Sequence, residues 1–488
     1  MSNDSMLSRV NALEGSGLNQ EKLNLFKRME YSHENMFITG KAGSGKSYLL
    51  TYFIKNTNKK AVVVAPTGIA ALNVGGQTIH SFFGLKPEDI QDLEEIKRDG
   101  VWGKRAMLMR ELDVLVVDEV SMVSADLMDA MDLKMRMANG NNQAFGGKQV
   151  IFFGDLYQLP PVIGSNEVRR CIEDTYGSRF FFDAPAFRHT TLNFYELKTV
   201  FRQNDSAFVG VLNDVRVGNV THNDLNLLNS RCDALENLSR HQKYVTITPT
   251  NAKAAQINQE KLDELTRPEF TYYATTTGEF GKAYPTEKEL KLKVGAQVMM
   301  LINDNPDSDG KRRWANGTLG VVSELTQNSI KVMIDMVEYV ISKHTWEKKA
   351  YDYDPSTKQL TSRTIASFTQ FPVKLAYAFT IHKAQGQTYQ SVAIDMHNGA
   401  FETGQTYVAL SRCVSLNNLY LKTPIHRDDI MVDQEVVNFM HKNGSYEETS
   451  VDVYKPNEKN VFDYDDDTTP DNSEPEEEPE IDLSEIPF

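Results

Sequence analysis

The sequence predicts an α/β protein with two parallel-sheet units, the second interrupted by a small all-β insertion. Three observations predict it. The run "NMFITG" (35–40) leads through "GKAGSGKS" (40–47) into the helix-like "YLLTYFIKN" (48–56). Uniformly apolar stretches then recur at helix-length spacing: "KAVVVAP", "LDVLVVDEV" and "QVIFFGD". Strands without polar alternation are buried on both faces, which indicates a parallel sheet between helical layers. Between about residues 295 and 370 the pattern becomes short and alternating, as in "AQVMMLIND", "TLGVVSEL", "SIKVMIDM" and "VEYVISK", the pattern of a small β-barrel.

Residues 1–17 read as a loose arm. The segment "LNQEKLNLFKRMEYS" places Leu18, Leu23 or Leu25, and Phe26 at helical spacing before the first strand. "GIAALNVGG" is a helix with a glycine stop, and a charged, helix-like insertion with Lys104, Arg105 and Arg110 occupies about 85–110. The first unit is expected over 18–190. A second set begins at "LNFYELKTVFRQ", continues through "YVTITPTNAKAAQIN", and returns with "SVAIDM" and "NNLYLKT". It is expected over 191–295 and 371–450, around an insertion at 296–370. Residues 451–488, rich in Pro, Asp and Glu, are expected to be disordered.

Of 488 residues, 40% are hydrophobic and 24% charged, ordinary for a globular chain of about three domains. No run of about 18 apolar residues offers a membrane span. The start "MSNDSMLSRVNALEGSG" lacks the apolar core of a secretory signal. Cys171, Cys232 and Cys413 are too scattered for a disulfide or zinc framework, which fits a reducing cytoplasm. The net charge of −15 argues against a nucleic-acid partner until its distribution is seen. From Val461 to Phe488 there are 12 Asp and Glu and no Lys or Arg, so the body is close to neutral and can carry local basic stripes.

The stretch Gly40-x-x-x-x-Gly45-Lys46-Ser47 is a complete phosphate loop. Gly40, Ala42, Gly43, Ser44 and Gly45 would turn backbone N–H groups around phosphates, with the helix N-terminus adding partial positive charge. Lys46 would reach the β and γ phosphates of ATP, and the Ser47 hydroxyl would hold Mg²⁺. Asp118 and Glu119 end an apolar strand at the edge where parallel sheets bind ligands. Asp118 suits the magnesium shell, and Glu119 the attacking water. Gln158, in "FFGDLYQLPPV" beside Asp155, suits a γ-phosphate sensor. Arg202 in "TVFRQN" and Arg412 in "YVALSRC" could supply positive charge where negative charge builds up. Their place in the second unit would put the nucleotide between two lobes.

A single strand of DNA could be gripped at the same cleft. Thr67 and Gly68, in "APTG" after a strand, offer a hydroxyl and a backbone N–H to phosphates. His80, Phe82 and Phe83 follow; the two rings read either as a stacking platform or as core. Opposite, "FTIHKAQGQTY" supplies His382, Lys383, Gln385, Gln387 and Thr388, with His382 either a DNA contact or a satisfied buried histidine. Within this cluster His382, Lys383 and Thr388 are assigned to DNA and Gln387 to the nucleotide.

The ordered set "GKAGSGKS", "APTGIAALNVGGQTIHSFFGL", "VDEVSM", "FGGKQVIFFGDLYQLPPV", "VFRQ", "LKVGAQVMM", "FTIHKAQGQT" and "YVALSR" closely resembles the Pif-one family of superfamily-one 5′→3′ DNA helicases, from about residue 18 to 425. The resemblance implies two RecA-like lobes, with the 85–110 insertion as a wedge and an SH3-type barrel in the second lobe. It further implies ATP and Mg²⁺ driving 5′→3′ translocation on single-stranded DNA. Forks, RNA–DNA hybrids and G-quadruplexes are the implied targets, in replication, repair, recombination or, as a family role, telomere maintenance. A bacterial or phage-type monomer acting in the cytoplasm is expected. By position Lys46, Ser47, Asp118, Glu119, Gln158, Arg202 and Arg412 match the family's ATPase residues, and Thr67, His80, His382 and Thr388 lie near its DNA track. One departure stands out: the family's adenine-reading glutamine is replaced by Lys22 in "LNQEK", with Gln20 two residues earlier. Either adenine selectivity is relaxed or Gln20 supplies it. The terminal "PEEEPEIDLSEIPF" resembles the tip of bacterial single-stranded-DNA-binding proteins, so Phe488 is either a docking point for a replication or repair protein or the end of a solubilising tail.

Overall fold

The computed structural model describes residues 18–443, except 87–89, 189, 203–204, 237–242, 281–283, 305–312, 355 and 358. The N-terminal arm and the acidic tail lie outside the described residues. Strands β1 (Asn35–Gly40), β2 (Ala61–Ala65), β3 (Gln77–Thr78), β4 (Val114–Val117), β5 (Gln149–Phe153) and β6 (Leu192–Leu197) form the first sheet. Their order is β3-β2-β4-β5-β1-β6, and every neighbouring pair is parallel. Alternate side chains of these apolar strands serve opposite faces. Met36, Ile38, Val63, Val116, Ile151 and Phe153 pack with Leu49, Leu50 and Phe53 of the helix Lys46–Asn56. Phe37, Val62, Val64, Leu115, Val117 and Phe152 pack on the other face with the helix Ala125–Asn139. Each such buried side chain contributes about 1.5–3 kcal/mol. The phosphate loop is thereby fixed at the carboxyl edge of a rigid sheet.

Two expected boundaries of the first unit move. β6 pairs with β1 along its whole length, so the first unit runs past residue 190 to Leu197. The final described helix, Gln434–Asn443, was assigned to the second unit but returns to the first. Its Val436 and Met440 enter the first core, and the Phe439 ring stacks on Phe182 at 3.9 Å. The expected helical insertion is present as helices Leu93–Asp99 and Gly103–Glu111, with Ile96 and Met109 anchored in that core.

β7 (Val245–Thr248) opens the second sheet. The chain then leaves it for β8 (Glu269–Tyr273), β9 (Thr275–Thr277), β10 (Glu289–Lys293), β11 (Gln297–Met300), β12 (Leu319–Leu325), β13 (Ile330–Ile334), β14 (Val337–Ile341), β15 (His344–Asp354), β16 (Gln359–Gln370) and β17 (Val373–Leu375). It returns with β18 (Ala378–Thr380), β19 (Val392–Ile394) and β20 (Leu419–Leu421), all parallel, in the order β18-β7-β19-β20. The insertion therefore begins near 269, not 296. Sheets β10-β8 and β14-β13-β12-β11-β17, both antiparallel, share one core that includes Tyr272, Leu290, Val298, Val332 and Phe371. The long hairpin β15–β16 projects away and docks on the first unit. Tyr351 Oη accepts from Val63 N–H at 3.1 Å, beyond the reach of the short edge strand β3. Among the described residues no helix is long and apolar enough to cross a membrane.

Candidate active site and nucleic-acid interface

The turn after β1 demands glycine. A Cβ on Gly40 would lie 2.8 Å from both Leu197 O and Ser44 Oγ, while Gly43 and Gly45 have φ of +81° and +83°. Ser44 is buried with its Oγ unpartnered. The following helix starts at Lys46, whose Nζ donates to Gly40 O at 2.6 Å and Lys41 O at 3.3 Å. Burial lowers the Lys46 pKa, against the attraction of Asp155 and Glu119.

A cavity of about 490 Å³ lies over this loop, lined by Ala42, Gly43, Gly45, Lys46 and Ser47, and by Glu119, Gln158, Arg202 and Arg412. Both arginines thus face the phosphate loop from beyond the first sheet. Arg202 Nη1 donates to Ser411 O at 3.2 Å; burial and the neighbouring Arg412 push its pKa down to about 9. Arg412 is 1% exposed and is held by Val408 O, Gln387 O and Ser411 Oγ. Gln158 is buried and donates to Asp155 Oδ2 at 3.4 Å.

Asp118 and Glu119 follow β4. Burial and the Glu119 charge push the Asp118 carboxyl up to about 7. Glu119 is also raised by burial, with Lys46 and Arg412 opposing. Its backbone is left-handed (φ 49°, ψ 44°), uncommon for a residue with a side chain. Gln385 Nε2, from the second unit, donates to Glu119 Oε2 at 3.1 Å.

Two adjoining cavities open on the other side of Glu119. One, of about 300 Å³, is lined by Ser47, Thr67, Asp118, Glu119, His382, Lys383, Gln385 and Gln387. The next, of about 490 Å³, adds Lys55, Asn303, Trp346 and Lys374 while sharing Lys383 and Gln387. Burial and Lys383 push Lys374 down to about 8. Lysines, an aromatic ring and amide side chains lining one groove are the chemistry of a single-strand track. Thr67 caps the helix Gly68–Asn73 through Ala70 N–H, with Gly68 as its first residue.

Several assignments change. Gln20 is exposed and bonded to Asn24, whereas Lys22 lines the loop cavity, because the helix turns the two positions to different faces. Thr388 lines the nucleotide cavity and Gln387 the groove, the reverse of the expectation, so that these consecutive residues face opposite sides just after the turn at Gly386 (φ +77°). Phe82 is 3% exposed, packed edge-on to Phe83 and Tyr351, so its ring is core. His80 is half-buried in the helix Ile79–Phe83 and lines none of these cavities. The sequence did not single out the buried bridge between units at Asp155. Arg216 pairs with it at 2.9 Å, and Tyr407 Oη donates to it at 3.3 Å while accepting from Ala42 N–H at 2.9 Å. Tyr407 stands in the quoted "YVALSR", but Arg216 has no motif around it.

Residues 17–225 match the family described as PIF1-like helicase. A relative from Bdellovibrio bacteriovorus, an ATP-dependent DNA helicase Pif1, is 33% identical across 84% of this chain and 88% of its own length. The chain belongs to the PIF1-like helicase family. Among solved structures, Bacteroides sp. Pif1 with ADP-AlF4 matches at 35% identity and a TM-score of 0.79, over 87% of this chain and 96% of that one. The Bacteroides protein with ADP-AlF3 and single-stranded DNA matches at 36% identity and similar coverage (88% and 98%), but with a TM-score of 0.63. This PIF1-like chain therefore superposes as a whole more closely on the former complex than on the latter.

Proposed function

We propose that the chain is an ATP-driven helicase that moves 5′→3′ along single-stranded DNA and separates forked duplexes. One observation carries the reading: the phosphate-loop cavity, capped by Arg202 and Arg412, shares Ser47, Glu119 and Gly386 with the lysine-lined groove. A change at the phosphates is thus a change at the wall of the track. Lys46 holds the β and γ phosphates, Glu119 orients the attacking water, Gln158 senses the γ phosphate, and the two arginines stabilise the charge that builds there. The buried Asp118 carboxyl and the half-buried Glu119 carboxyl, lining one cavity with Ser47, are a donor set suited to Mg²⁺. Asp118 and Ser47 would hold it, and the ion would neutralise phosphate charge. Thr67, His382 and Lys383 grip the strand. A pull-down with and without residues 485–488 separates the two readings of the Ile-Pro-Phe segment, a docking point for a replication or repair protein or a solubilising tail.

Partial duplexes with 5′ or 3′ overhangs test the motor. Unwinding is expected only from the 5′ overhang and is lost in Lys46→Ala. Strand separation from the 3′ tail, or ATP hydrolysis without separation on either substrate, would contradict the reading.

A further inference from the structure

Lys22 is a buried ammonium that the hydrolytic chemistry does not use. It is 4% exposed, lines the loop cavity, and holds Nζ over the Phe201 ring at 3.7 Å. No hydrogen-bond acceptor meets Nζ among the described residues, and burial pulls its pKa down to about 8 despite the nearby Glu21 charge. An ammonium that meets only a ring and opens on a cavity leaves its donors for an acceptor supplied by a ligand. It sits against the phosphate loop, since a Cβ on Gly45 would lie 2.8 Å from Nζ. Asn19, Lys22, Phe201 and Val414 form the part of the lining outside the phosphate loop that carries an aromatic face. One face of the Phe201 ring carries the Lys22 ammonium, and the remaining aromatic surface of the cavity, which includes Tyr48, suits any base by stacking. Selection among bases then falls to the polar group beside it.

The lysine side chain donates hydrogen bonds and accepts none. On the edge that carries N7, guanine presents two acceptors, O6 and N7. Adenine presents one acceptor, N7, and an N6 donor that meets an ammonium unfavourably. We propose that Lys22 selects the base, donating to O6 and N7 of guanine, so that the motor takes guanine nucleotides at least as readily as adenine nucleotides. The inference rests on the nucleotide-driven motor proposed above and adds its base specificity. Arginine would keep this preference, whereas glutamine, with one donor and one acceptor, matches adenine N6 and N7.

The test measures DNA-stimulated hydrolysis of ATP, GTP and 7-deaza-GTP by the full chain, as wild type, Lys22→Gln and Lys22→Arg. Wild type is expected to show kcat/KM for GTP equal to or above that for ATP, and a lower value for 7-deaza-GTP. Lys22→Gln should move the GTP:ATP ratio toward ATP by about tenfold or more, the worth of a hydrogen bond to a charged donor. Lys22→Arg should leave the ratio near wild type, which separates base reading from damage to the fold. A wild-type preference for ATP of about tenfold, or equal losses of ATP and GTP turnover in Lys22→Gln, would overturn the inference. Equal losses would mark a lysine that binds phosphate. Folded wild type that hydrolyses neither nucleotide would remove the motor reading itself, a result distinct from hydrolysis with the wrong base preference.

Discussion

Glu119 holds a left-handed backbone (φ 49°, ψ 44°) that costs on the order of 1–3 kcal/mol and persists only where its surroundings impose it. Gln385 is part of those surroundings, reaching across the cleft to Glu119 Oε2 at 3.1 Å. Because Gln385 also lines the groove, a strand there can reset the carboxylate through a single amide. Gln385→Ala should therefore uncouple the two cavities. The ratio of ATP turnover with and without a single-stranded oligonucleotide is expected to fall about fivefold or more, the lower range of coupling energies between sites. An unchanged ratio would show that Gln385 only packs. Glu119→Gln tests the water-orienting role: the chemical step should slow by about a hundredfold or more, with ATP affinity kept, as single-turnover hydrolysis and equilibrium binding would report.

The hairpin β15–β16 acts as a strap between the β insertion and the first sheet. Its aromatic residues Trp346, Tyr351 and Phe368, scattered among polar ones, suit a strand. Its destination was not legible, because such a pattern says nothing about what covers the strand. Tyr351 is the contact that matters: its ring meets Phe82 at 6.3 Å and its hydroxyl takes the Val63 N–H. The same contact explains why Phe82, read as a candidate stacking residue, is core. The Bacteroides protein with ADP-AlF3 and single-stranded DNA superposes on this chain less closely overall than the one with ADP-AlF4, with a TM-score of 0.63 against 0.79. A strap that DNA must loosen on binding would make its weakening favour the bound arrangement. Tyr351→Ala is expected to tighten single-stranded DNA binding by about three- to tenfold, the equivalent of roughly 1 kcal/mol taken from the competing state. Fluorescence anisotropy of a labelled oligonucleotide would measure it, and equal or weaker binding would remove the competition.

At the scale of the whole chain, the two sheets were legible because apolar strands and the phosphate loop are local signals. The pairing of β6 with β1 and the return of the helix Gln434–Asn443 were not, because both are set by long-range packing on Phe37, Phe182 and Phe194. The same holds for the seam. Beside the contacts at the nucleotide and the strap, the seam carries the charged pairs of Arg216 with Asp155 and of Arg179 with Glu402 and Asp433. Arg179 is 2% exposed and grips Glu402 through both terminal nitrogens, at 3.0 and 2.9 Å. Burial disfavours the Glu402 charge, but Arg179 outweighs it and holds that carboxyl below its usual range. Removing the guanidinium leaves Glu402 and Asp433 without this cation, so Arg179→Met should destabilise the joined lobes by about 2–3 kcal/mol at neutral pH, less than for a fully buried pair because Glu402 remains partly exposed. The sign with pH follows from the depressed Glu402 value. The pair's contribution is complete above the unfolded glutamate value of about 4.3 and is lost as pH falls through the folded one. Calorimetry of wild type and Arg179→Met from neutral pH downward should therefore show a stability gap that narrows in acid. A gap that is constant or widens would mean that Arg179 acts through packing alone, leaving Arg216 with Asp155 as the charged pair that holds the seam.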